Sequence, residues 1–297
     1  MTPISGQSVL ITGAAHGIGA ETARRLAARG ARVSLVGLGD LEAVAADCPG
    51  SITFEADVTD RDALDAAVSG TVEAFGGIDT LFANAGIGAP GFVRSMDPEM
   101  FERVIEVNLI GVWRTIRACL PHVIERRGYI LPVASMAAIL PPVGLGAYGA
   151  AKSGVENLSH ALRVETQHYG VDVGVAYFSW IDTEMVRGAD RTELGASMRA
   201  MLTGPLAKHY PVSAAAEAVV RGIERRRRIV AVPRWLIGLM WLKPILPRLT
   251  ERELRKDIAR FDELAEREAR ERGNEPVGAG GEAERAARRA TSASPAS

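Results

Sequence analysis

The sequence has few of the features that mark metal-binding, secreted or disulfide-bonded proteins. Its 297 residues include only two cysteines, Cys48 and Cys119, without C-x-x-C spacing and without a companion histidine cluster. We therefore expect neither a disulfide framework nor a metal site, and a reducing compartment is favoured. The first residues, MTPISGQSVLITG, contain neither a charged segment nor a long apolar one, so we expect no secretion signal and a cytoplasmic protein.

The chain also lacks an excess of charge of either sign. Its formal net charge is -1, and no basic stripe with interleaved aromatic residues is present, so we expect no nucleic-acid partner. Hydrophobic residues make up 47% and charged residues 24% of the chain, which is typical of a globular protein with a large core. One large domain with an appendage fits this composition and length.

Short apolar runs alternate with helical stretches along most of the chain. The runs cover residues 8–12, 32–36, 52–55, 80–83, 129–134 and 171–176. Such alternation predicts parallel strands joined by right-handed crossover helices, and hence an α/β fold with a doubly wound parallel sheet. In such a sheet the ligand binds at the carboxyl ends of the strands, where Gly13, Asp57, Asn84 and Ser135 fall.

The stretch from Ser135 to Lys152 carries the candidate chemistry. If Tyr148 and Lys152 lie on one helix, their four-residue spacing places them on the same face, and a nearby ammonium lowers the pKa of a phenol from about 10. Such a tyrosine can exchange a proton with a carbonyl oxygen during hydride transfer, while Ser135 would hold that oxygen by a hydrogen bond. Taken alone, the pair also fits an ordinary half-buried aromatic residue and a solvated lysine.

A glycine-rich turn follows the first predicted strand. Residues 12–19 read TGAAHGIG, and the glycines Gly13, Gly17 and Gly19 would let the backbone approach a pyrophosphate at a helix N-terminus. The dinucleotide fingerprint G-x-G-x-x-G is not literally present. Taken alone, this turn also fits a tight connection between strand and helix.

Together, these two stretches resemble the classical short-chain dehydrogenase/reductase family, and the resemblance extends over residues 5–232. The turn matches the family's T-G-x-x-x-G-x-G, and Tyr148 with Lys152 matches its Y-x-x-x-K. Ser135 stands thirteen residues before Tyr148, which is the usual interval in the family. The resemblance implies a Rossmann-like, three-layer α/β/α fold and the NAD(P)-dependent transfer of hydride to or from a secondary alcohol or ketone.

The resemblance also implies roles for individual residues. The catalytic residues would be Asn108, Ser135, Tyr148 and Lys152. The cofactor-binding residues would be Gly13, His16, Gly17, Ile18, Gly19, Asp57, Val58, Asn84, Ala85, Gly86, Tyr148, Lys152, Ile181 and Thr183. In these roles Tyr148 exchanges the proton, and Lys152 lowers its pKa and holds the nicotinamide ribose. Asn108 would anchor a water relay.

The chain departs from the family pattern where the second strand closes. NAD-preferring members usually have an acid there, whereas this chain has Gly37, so no carboxylate would repel a 2'-phosphate. His16 stands where NADP-preferring relatives often carry a basic residue, although it also fits a surface residue of the turn. We therefore expect NADP or NAD as the cofactor, with NADP favoured, unless Asp40 takes the place of the missing acid.

Two further departures concern the ends of strands. Pro132 lies inside a predicted central strand, where it removes a ladder donor, so we expect a local bulge or a missing hydrogen bond. After its sixth strand the family has Pro-Gly, whereas this chain has Phe178-Ser179. Ile181 and Thr183 keep the positions that contact the carboxamide, but the shape of this loop does not follow from the family pattern.

The predicted substrate side is apolar. Met185, Met198, Met201 and Leu202 follow Thr183, in a segment that forms a mobile lid in the family. Methionine side chains are flexible and polarisable, which suits a bulky apolar ketone or alcohol. The same side chains also fit simple packing of the lid against the core.

An appendage follows the expected end of the family fold. We expect a Rossmann-like domain over residues 1–232, an apolar and then charged helical extension over 233–272, and a disordered tail over 273–297. The charged part predicts an amphipathic helix over 251–272 that docks on the body. Its narrow apolar stripe comprises Leu254, Ile258, Phe261 and Ala265, and its supporting ion pairs are Glu251/Arg255, Glu263/Arg267 and Glu266/Arg270.

The apolar part of the appendage leaves three roles open. Segment 233–249 is shorter than the roughly 20 apolar residues that span a bilayer. It would lie in a membrane interface, cap the substrate pocket or pack on a partner subunit. Pro244 and Pro247 interrupt any long helix, which disfavours membrane-surface contact.

The predicted function is that of an NAD(P)-dependent oxidoreductase with a small-molecule substrate, bulky and apolar, and Tyr148 as general acid/base. We expect a homodimer or homotetramer that pairs through helices around residues 101–120 and 148–168. One alternative is a dinucleotide-binding redox sensor or scaffold on the same fold, which would not need the phenol and amine pair. Another is a membrane-peripheral reductase of lipid-derived substrates, which differs in location rather than chemistry.

Overall fold

All six predicted apolar runs form strands at the centre of the molecule. The computed structural model describes residues 3–273, 275–278 and 281. The strands are β1 Ser8–Thr12, β2 Arg32–Gly37, β3 Ile52–Glu55, β4 Thr80–Ala83, β5 Tyr129–Pro132, β6 Asp172–Val173, β7 Val175–Phe178 and β8 Ile229–Val232. Strands β1 to β6 form a parallel sheet in the order β3-β2-β1-β4-β5-β6, and β7 pairs in parallel with β8.

Helices cover both faces of this sheet, which makes the three layers expected for a doubly wound fold. They are α1 Gly17–Ala27, α2 Glu42–Ala45, α3 Arg61–Phe75, α4 Pro98–Ile105, α5 Gly111–Glu125, α6 Gly146–Thr166, α7 Glu184–Asp190, α8 Glu193–Met201, α9 Val212–Glu224, α10 Leu236–Met240, α11 Leu246–Leu254 and α12 Ile258–Arg272. One core cluster joins α1 and α9 to the sheet, and a second joins α3, α5 and α6 to it. The predicted fold class is therefore confirmed.

The order of the strands positions the ligand-binding edge. The chain winds outward from β1 to β3 on one side and from β4 to β6 on the other, so the direction of winding reverses between β1 and β4. At such a switch point the loops that follow the two central strands separate and leave a crevice. The glycine-rich turn after β1 and the loop after β4 lie on either side of this crevice.

Pro132 limits a strand without removing it. It is the last residue of β5, where it pairs with Ala83. On the other side of β5, the Gly174 N–H donates to Ile130 O at 2.9 Å and the Ala134 N–H donates to Ala176 O at 2.8 Å. Pro132 has no N–H to supply a bond between these two, and the predicted run 171–176 is divided at this point into β6 and β7. The missing hydrogen bond expected from the sequence is confirmed.

The first part of the appendage packs on the body of the protein. Leu236 and Leu246 are buried in the core cluster that contains α6, and Lys243 forms an ion pair with Glu156 of α6. Four other apolar side chains of this part are exposed: Trp241, Leu242, Ile245 and Leu249. Within the described residues, no helix is both long enough and apolar enough to cross a membrane.

The charged part of the appendage forms two helices rather than the single one predicted. The chain bends between α11 and α12, because residues 255–257 do not continue the helix. Phe261, Leu264 and Ala265 are buried against Leu194 of α8, which confirms docking on the body. Ile258, which was predicted to belong to the apolar stripe, is exposed.

Two of the three predicted ion pairs in this segment are present. Glu251 lies 3.8 Å from Arg255, and Glu266 contacts Arg270. Arg267 pairs instead with Glu193 of α8 at 2.7 Å. The boundaries proposed for the domain and its extension stay a prediction. Much of the predicted disordered tail, residues 274, 279–280 and 282–297, lies outside the described residues.

Candidate active site

The loops after β1 and β4 are fastened to each other by one asparagine and one threonine. The Asn84 side-chain amide donates from Nδ2 to the carbonyl oxygens of Thr12 and Gly13, at 3.1 Å each. Thr12 Oγ1 accepts hydrogen bonds from the backbone N–H groups of Asn84 and Ala85, at 3.1 and 3.2 Å. These four bonds hold the glycine-rich turn beside the Asn84-Ala85-Gly86 loop, as the sequence predicted.

Two glycines of the turn, Gly13 and Gly19, have no room for a side chain. A Cβ at Gly19 would lie 2.2 Å from Gly13 O, and a Cβ at Gly13 would lie 2.8 Å from Ala85 Cα. The N-cap residue of α1, His16, makes no side-chain capping hydrogen bond. No side chain of His16 occupies the first N–H groups of α1, which include that of Ile18, and an uncapped helix N-terminus of this kind suits a pyrophosphate. These residues fit a dinucleotide.

The catalytic pair lies on one face of α6, one turn apart. The Lys152 Nζ is 5.5 Å from the centroid of the Tyr148 ring. Lys152 is buried, and its ammonium donates a hydrogen bond to Val133 O at 2.9 Å. This bond ties the base of α6 to the end of β5, so the spacing between phenol and amine is fixed by the sheet as well as by the helix.

Ser135 is brought to this pair by the turn after β5. Its Oγ accepts a hydrogen bond from the Ala137 N–H at 3.1 Å, which caps a short 3₁₀ turn over Met136–Ala138. The same hydroxyl donates to Phe178 O at 3.5 Å, and it lies close enough to the Tyr148 side chain to lower the pKa of the phenol. The turn after β5 therefore places Ser135 beside Tyr148, and Lys152 lies near the ring of the same tyrosine.

Burial dominates the proton affinities of this pair. It raises the pKa of Tyr148, and the Ser135 side chain offsets only part of this rise. Burial also lowers the pKa of Lys152 to about 8. The expectation that the ammonium leaves the phenol with a lowered pKa is therefore not met in the protein alone, because dehydration disfavours the charged form of both groups.

Asn108, the fourth predicted catalytic residue, lies in a π-helical turn over Glu106–Ile110 that joins α4 to α5. Its Nδ2 donates to Ile87 O and to Val104 O, at 2.9 Å each. Its Oδ1 is buried and accepts no hydrogen bond within the described part of the chain. A Cβ at Gly86 would lie 2.6 Å from this oxygen and 3.5 Å from Lys152 Nζ.

Asp57 and Val58, which were predicted to bind the cofactor, make other contacts within the protein. The Asp57 carboxylate accepts from Arg103 at 2.6 Å and from the Thr59 N–H at 2.8 Å. Burial raises the pKa of Asp57, but these bonds together lower it by a larger amount. The pKa of Asp57 therefore lies below its usual value. Val58 is buried in a core cluster with Leu64. Neither side chain is free to point at a cofactor, so contacts here would come from the backbone.

The loop after β7 lies over the glycine-rich turn. A Cβ at Gly17 would lie 3.3 Å from Thr183 Cγ2, while Thr183 Oγ1 caps α7 by accepting from the Val186 N–H at 3.4 Å. Ile181 is buried and forms a bridge with Tyr210. Thr183 therefore lies against the first residue of α1 and Ile181 packs in the core cluster that contains α1, despite the absence of the family's Pro-Gly.

At the end of β2, the side chains that would face the ribose of a bound dinucleotide are His16 and Asp40. A Cβ at Gly39 would lie 2.9 Å from His16 Nε2, so the imidazole lies against this loop. The Asp40 carboxylate accepts from the Ala43 N–H at 2.9 Å and so caps the turn before α2. The Asp40 carboxylate therefore already accepts a hydrogen bond within the protein.

Sequence reasoning named Met185 of the lid but missed Gly88 and Val277, which lie against the lid on the outer side of the crevice. Gly88, in the loop after β4, faces Met185 of α7, and Val277 of the tail contacts both sides. The tail was predicted to be disordered because its composition lacks periodicity. A signal was present all the same: Val277 is the only large aliphatic residue in the sequence from Gly273 to Ser297.

The fold and this site define a dinucleotide-dependent oxidoreductase of the doubly wound α/β class. A family model described as short chain dehydrogenase matches residues 7–194. The chain therefore belongs to the short chain dehydrogenase family, and it is an NAD(P)-dependent oxidoreductase that acts on CH–OH groups.

Similar proteins and structures agree with this assignment. The chain is 33% identical over 208 residues to (-)-trans-carveol dehydrogenase of Rhodococcus erythropolis, covering 63% of this chain and 75% of that protein. It is 31% identical over 265 residues to 11-beta-hydroxysteroid dehydrogenase 1A of Arabidopsis thaliana, covering 83% and 74%. The crystal structure of levodione reductase superposes with a TM-score of 0.71 at 30% identity, over 77% of this chain and 96% of that one.

A further structure bears on the cofactor. A short chain dehydrogenase from Burkholderia cenocepacia J2315, solved in complex with NADP, superposes with a TM-score of 0.68 at 26% identity. The match covers 77% of this chain and 97% of that chain. Together with the family, it supports a nicotinamide dinucleotide as the cofactor.

Proposed function

We propose that the protein interconverts a bulky apolar secondary alcohol and its ketone, with Tyr148 as general acid/base. The observation that carries this proposal is the arrangement of the Tyr148 phenol. It lies beside Ser135, whose side chain lowers its pKa, and one helical turn from a buried ammonium, Lys152, at the carboxyl edge of the sheet. A binding protein would have no use for a phenol paired in this way with a buried amine.

Each residue of the site has its own role in the reaction. When bound, the nicotinamide dinucleotide supplies the hydride to the carbonyl carbon or accepts it from the alcohol. Ser135 donates a hydrogen bond to the substrate oxygen and orients it toward Tyr148. The Tyr148 O–H then gives its proton to that oxygen in reduction, and the phenolate takes it back in oxidation. Lys152 stabilises the phenolate by its positive charge.

The proton must reach Tyr148 again after each turnover. The buried Oδ1 of Asn108 lies near Lys152 Nζ, since both approach Gly86. An unpaired buried acceptor at this place suits an ordered water. We propose that Asn108 holds this water and that the proton passes between it and the Lys152 ammonium.

Replacing Tyr148 by Phe tests the assignment. We expect kcat to fall by about 10²- to 10⁴-fold, since this is the usual contribution of a general acid, while the dissociation constant of NADPH stays within a few-fold of the wild type. Stopped-flow turnover and fluorescence titration of NADPH give the two quantities. Tyr169→Phe, at an exposed tyrosine, is the matched control. Near-normal turnover by Tyr148→Phe would contradict the proposal.

We further propose that NADP(H) is preferred over NAD(H). Three features support this: Gly37 closes β2 without a carboxylate, Asp40 already caps a backbone N–H, and the His16 imidazole lies beside Gly39. A 2'-phosphate would meet one basic side chain there, and the one carboxylate nearby, that of Asp40, is held by the Ala43 N–H.

The cofactor preference is measured by the dissociation constants of NADPH and NADH. We expect NADPH to bind more tightly, and His16→Ala to weaken NADPH binding severalfold, because an exposed charge contact contributes roughly 0.2–1 kcal/mol. NADH binding should not change. His122→Ala, at a histidine on α5 far along the chain, is the control. Equal losses for NADPH and NADH would show that His16 only shapes the turn.

The apolar substrate is supported by the lid. Met198 and Leu194 of α8 and Phe92 contact the loop at Gly144, so the walls between Ser135 and α8 are apolar. Relatives named for a hydroxysteroid, for carveol and for levodione act on alcohols and ketones. The membrane-peripheral alternative shares this chemistry, and its support is the exposed group formed by Trp241, Leu242, Ile245 and Leu249.

A further inference from the structure

A short segment near the C-terminus crosses the mouth of the crevice. This segment, residues 275–278, is called the strap below. On one side the Val277 N–H donates to Gly88 O at 2.9 Å. On the other side a Cβ at Gly188 of α7 would lie 2.8 Å from Gly278 N and 3.0 Å from Val277 Cβ. The strap therefore touches the loop after β4 and the lid helix at the same time.

The fit between the strap and the lid is close. A Cβ at Gly278 would lie 2.5 Å from Met185 N and 2.6 Å from Glu184 C. Glycine is needed at this position both for space and for its φ of +81°. The backbone of the strap therefore lies directly on the first turn of α7.

Helix α12 anchors the strap. Arg94 bonds to Asp262 and Glu266 at 2.9 Å each, and these bonds fasten α12 to the loop that precedes α4. The Glu268 carboxylate accepts from the Leu194 N–H at 3.3 Å, at the first turn of α8. Polar bonds thus hold both edges of α12, and the Phe261 ring is buried between them.

The strap contacts two loops that also carry residues close to the reacting groups. Gly88 follows Gly86 by two residues, and a Cβ at Gly86 would lie 3.5 Å from Lys152 Nζ. Met185 follows Thr183 by two residues, and Thr183 faces Gly17 of the glycine-rich turn. A substrate that reaches Tyr148 between these two loops must pass the strap or end against it.

We propose that the strap is the outer wall of the substrate crevice and that Val277 sets the size of substrate admitted. The proposal rests on the proposed function, since it concerns the substrate of the same site. Val277 is the strap residue whose side chain contacts both Gly88 and Gly188. A smaller residue at 277 enlarges the crevice, and a displaced strap opens it.

The test uses the full chain and compares large and small ketones of one chemical series. Gly278→Ala displaces the strap, because the added methyl would overlap the backbone of Met185. Gly188→Ala displaces it from the side of the lid. Gly238→Ala is the matched control, because a Cβ at Gly238 of α10 meets no atom within 4 Å. Val277→Ala leaves the strap in place and removes bulk.

The quantity measured is the kcat/KM of the large ketone divided by that of the small one. We expect Val277→Ala to raise this ratio about tenfold, since one pocket methylene discriminates by this much. Gly278→Ala and Gly188→Ala should raise it further, and the double variant should resemble either single one because both displace the same strap. Hydrogen exchange at the Val277 amide verifies the displacement.

The outcomes separate this proposal from the proposed function. Calorimetric binding of the two ketones to the enzyme with NADP⁺ repeats the comparison without turnover. A wild type that neither turns over nor binds any ketone would overturn both proposals. Turnover with an unchanged ratio, in variants whose Val277 amide exchanges faster, would overturn the strap alone.

Discussion

Lys152 is a charged group that folding removes almost entirely from water. Its side chain is 3% exposed, and burial lowers its pKa to about 8. One hydrogen bond, to Val133 O, compensates for part of the lost hydration. The enzyme therefore maintains an unfavourable charge beside Tyr148, which is expected where a cation serves chemistry rather than stability.

This cost predicts an unusual pH dependence of stability. The unfolded lysine, with a pKa near 10.5, keeps its proton between pH 8 and 10.5, whereas the folded one loses it. The unfolded state therefore binds more protons, so the contribution of Lys152 to stability rises with pH in this range. Relative to Lys152→Met, the wild type should gain about 2 kcal/mol between pH 7.5 and 9.5.

Urea unfolding of both proteins at the two pH values measures this gain. The exposed Lys256 supplies the control variant, Lys256→Met. The wild type should show no such gain in stability relative to this variant. Parallel pH dependences for the wild type and Lys152→Met would show that Lys152 keeps its ordinary pKa in the folded protein.

The sequence predicts which catalytic residues meet, but not their proton affinities. The spacing of Ser135, Tyr148 and Lys152 sets their positions because a helix and the turn before it have regular geometry. The pKa values depend on how much water remains around each group, and that depends on packing from α4 and the loop after β4. The side-chain partners of Asp57 were also missed, because Arg103 lies 46 residues away along the chain.

At the scale of elements, strands were easier to predict than the ends and joints of helices. Apolar runs between turns predict strands because most of these strands are buried on both faces, although β3 at the edge of the sheet is only partly buried. The π-helical turn at Asn108 leaves no such trace, since one additional residue in a helix does not change its composition. The bend between α11 and α12 follows from docking on α8, which is a tertiary contact.

The contact between α12 and α8 yields a prediction for hydrogen exchange. Phe261 is 2% exposed, and truncation of a buried phenylalanine costs about 3–5 kcal/mol. We expect Phe261→Ala to release α12 locally, so amides of α8 should exchange faster while amides of β1 and β4 remain protected. Ile258→Ala, on the exposed side of α12, is the control. Unchanged exchange in α8 would contradict a clamping role for α12.

At the scale of the whole molecule, the appendage is part of the body rather than an addition to it. Leu236 and Leu246 belong to the same core cluster as residues of β5 and α6. A chain cut after β8 would therefore lose core side chains. The sequence placed a boundary near residue 232 because the resemblance ends there, and periodicity alone does not reveal which surface an added helix will cover.

The expected homodimer can be tested on α6. Val164 is 73% exposed there, and Trp113 on the neighbouring α5 is 40% exposed. Two copies of these helices would bury both side chains in a symmetric interface. We expect Val164→Asp to weaken the assembly, because it would place an unpaired charge in an apolar contact. Sedimentation velocity measures the oligomer, with Ile258→Asp, at an exposed position of α12 outside segment 233–249, as the control. A monomeric wild type would contradict this expectation.

The contact that holds the strap in place also has a consequence for evolution. Three glycines, Gly88, Gly188 and Gly278, form this contact largely from backbone atoms. Backbone contacts tolerate almost any neighbouring side chain that does not overlap them. Position 277 is therefore free to change without loss of the contact made by these three glycines. A single codon can therefore move the substrate range of such an enzyme while its proton-transfer residues stay under unchanged selection.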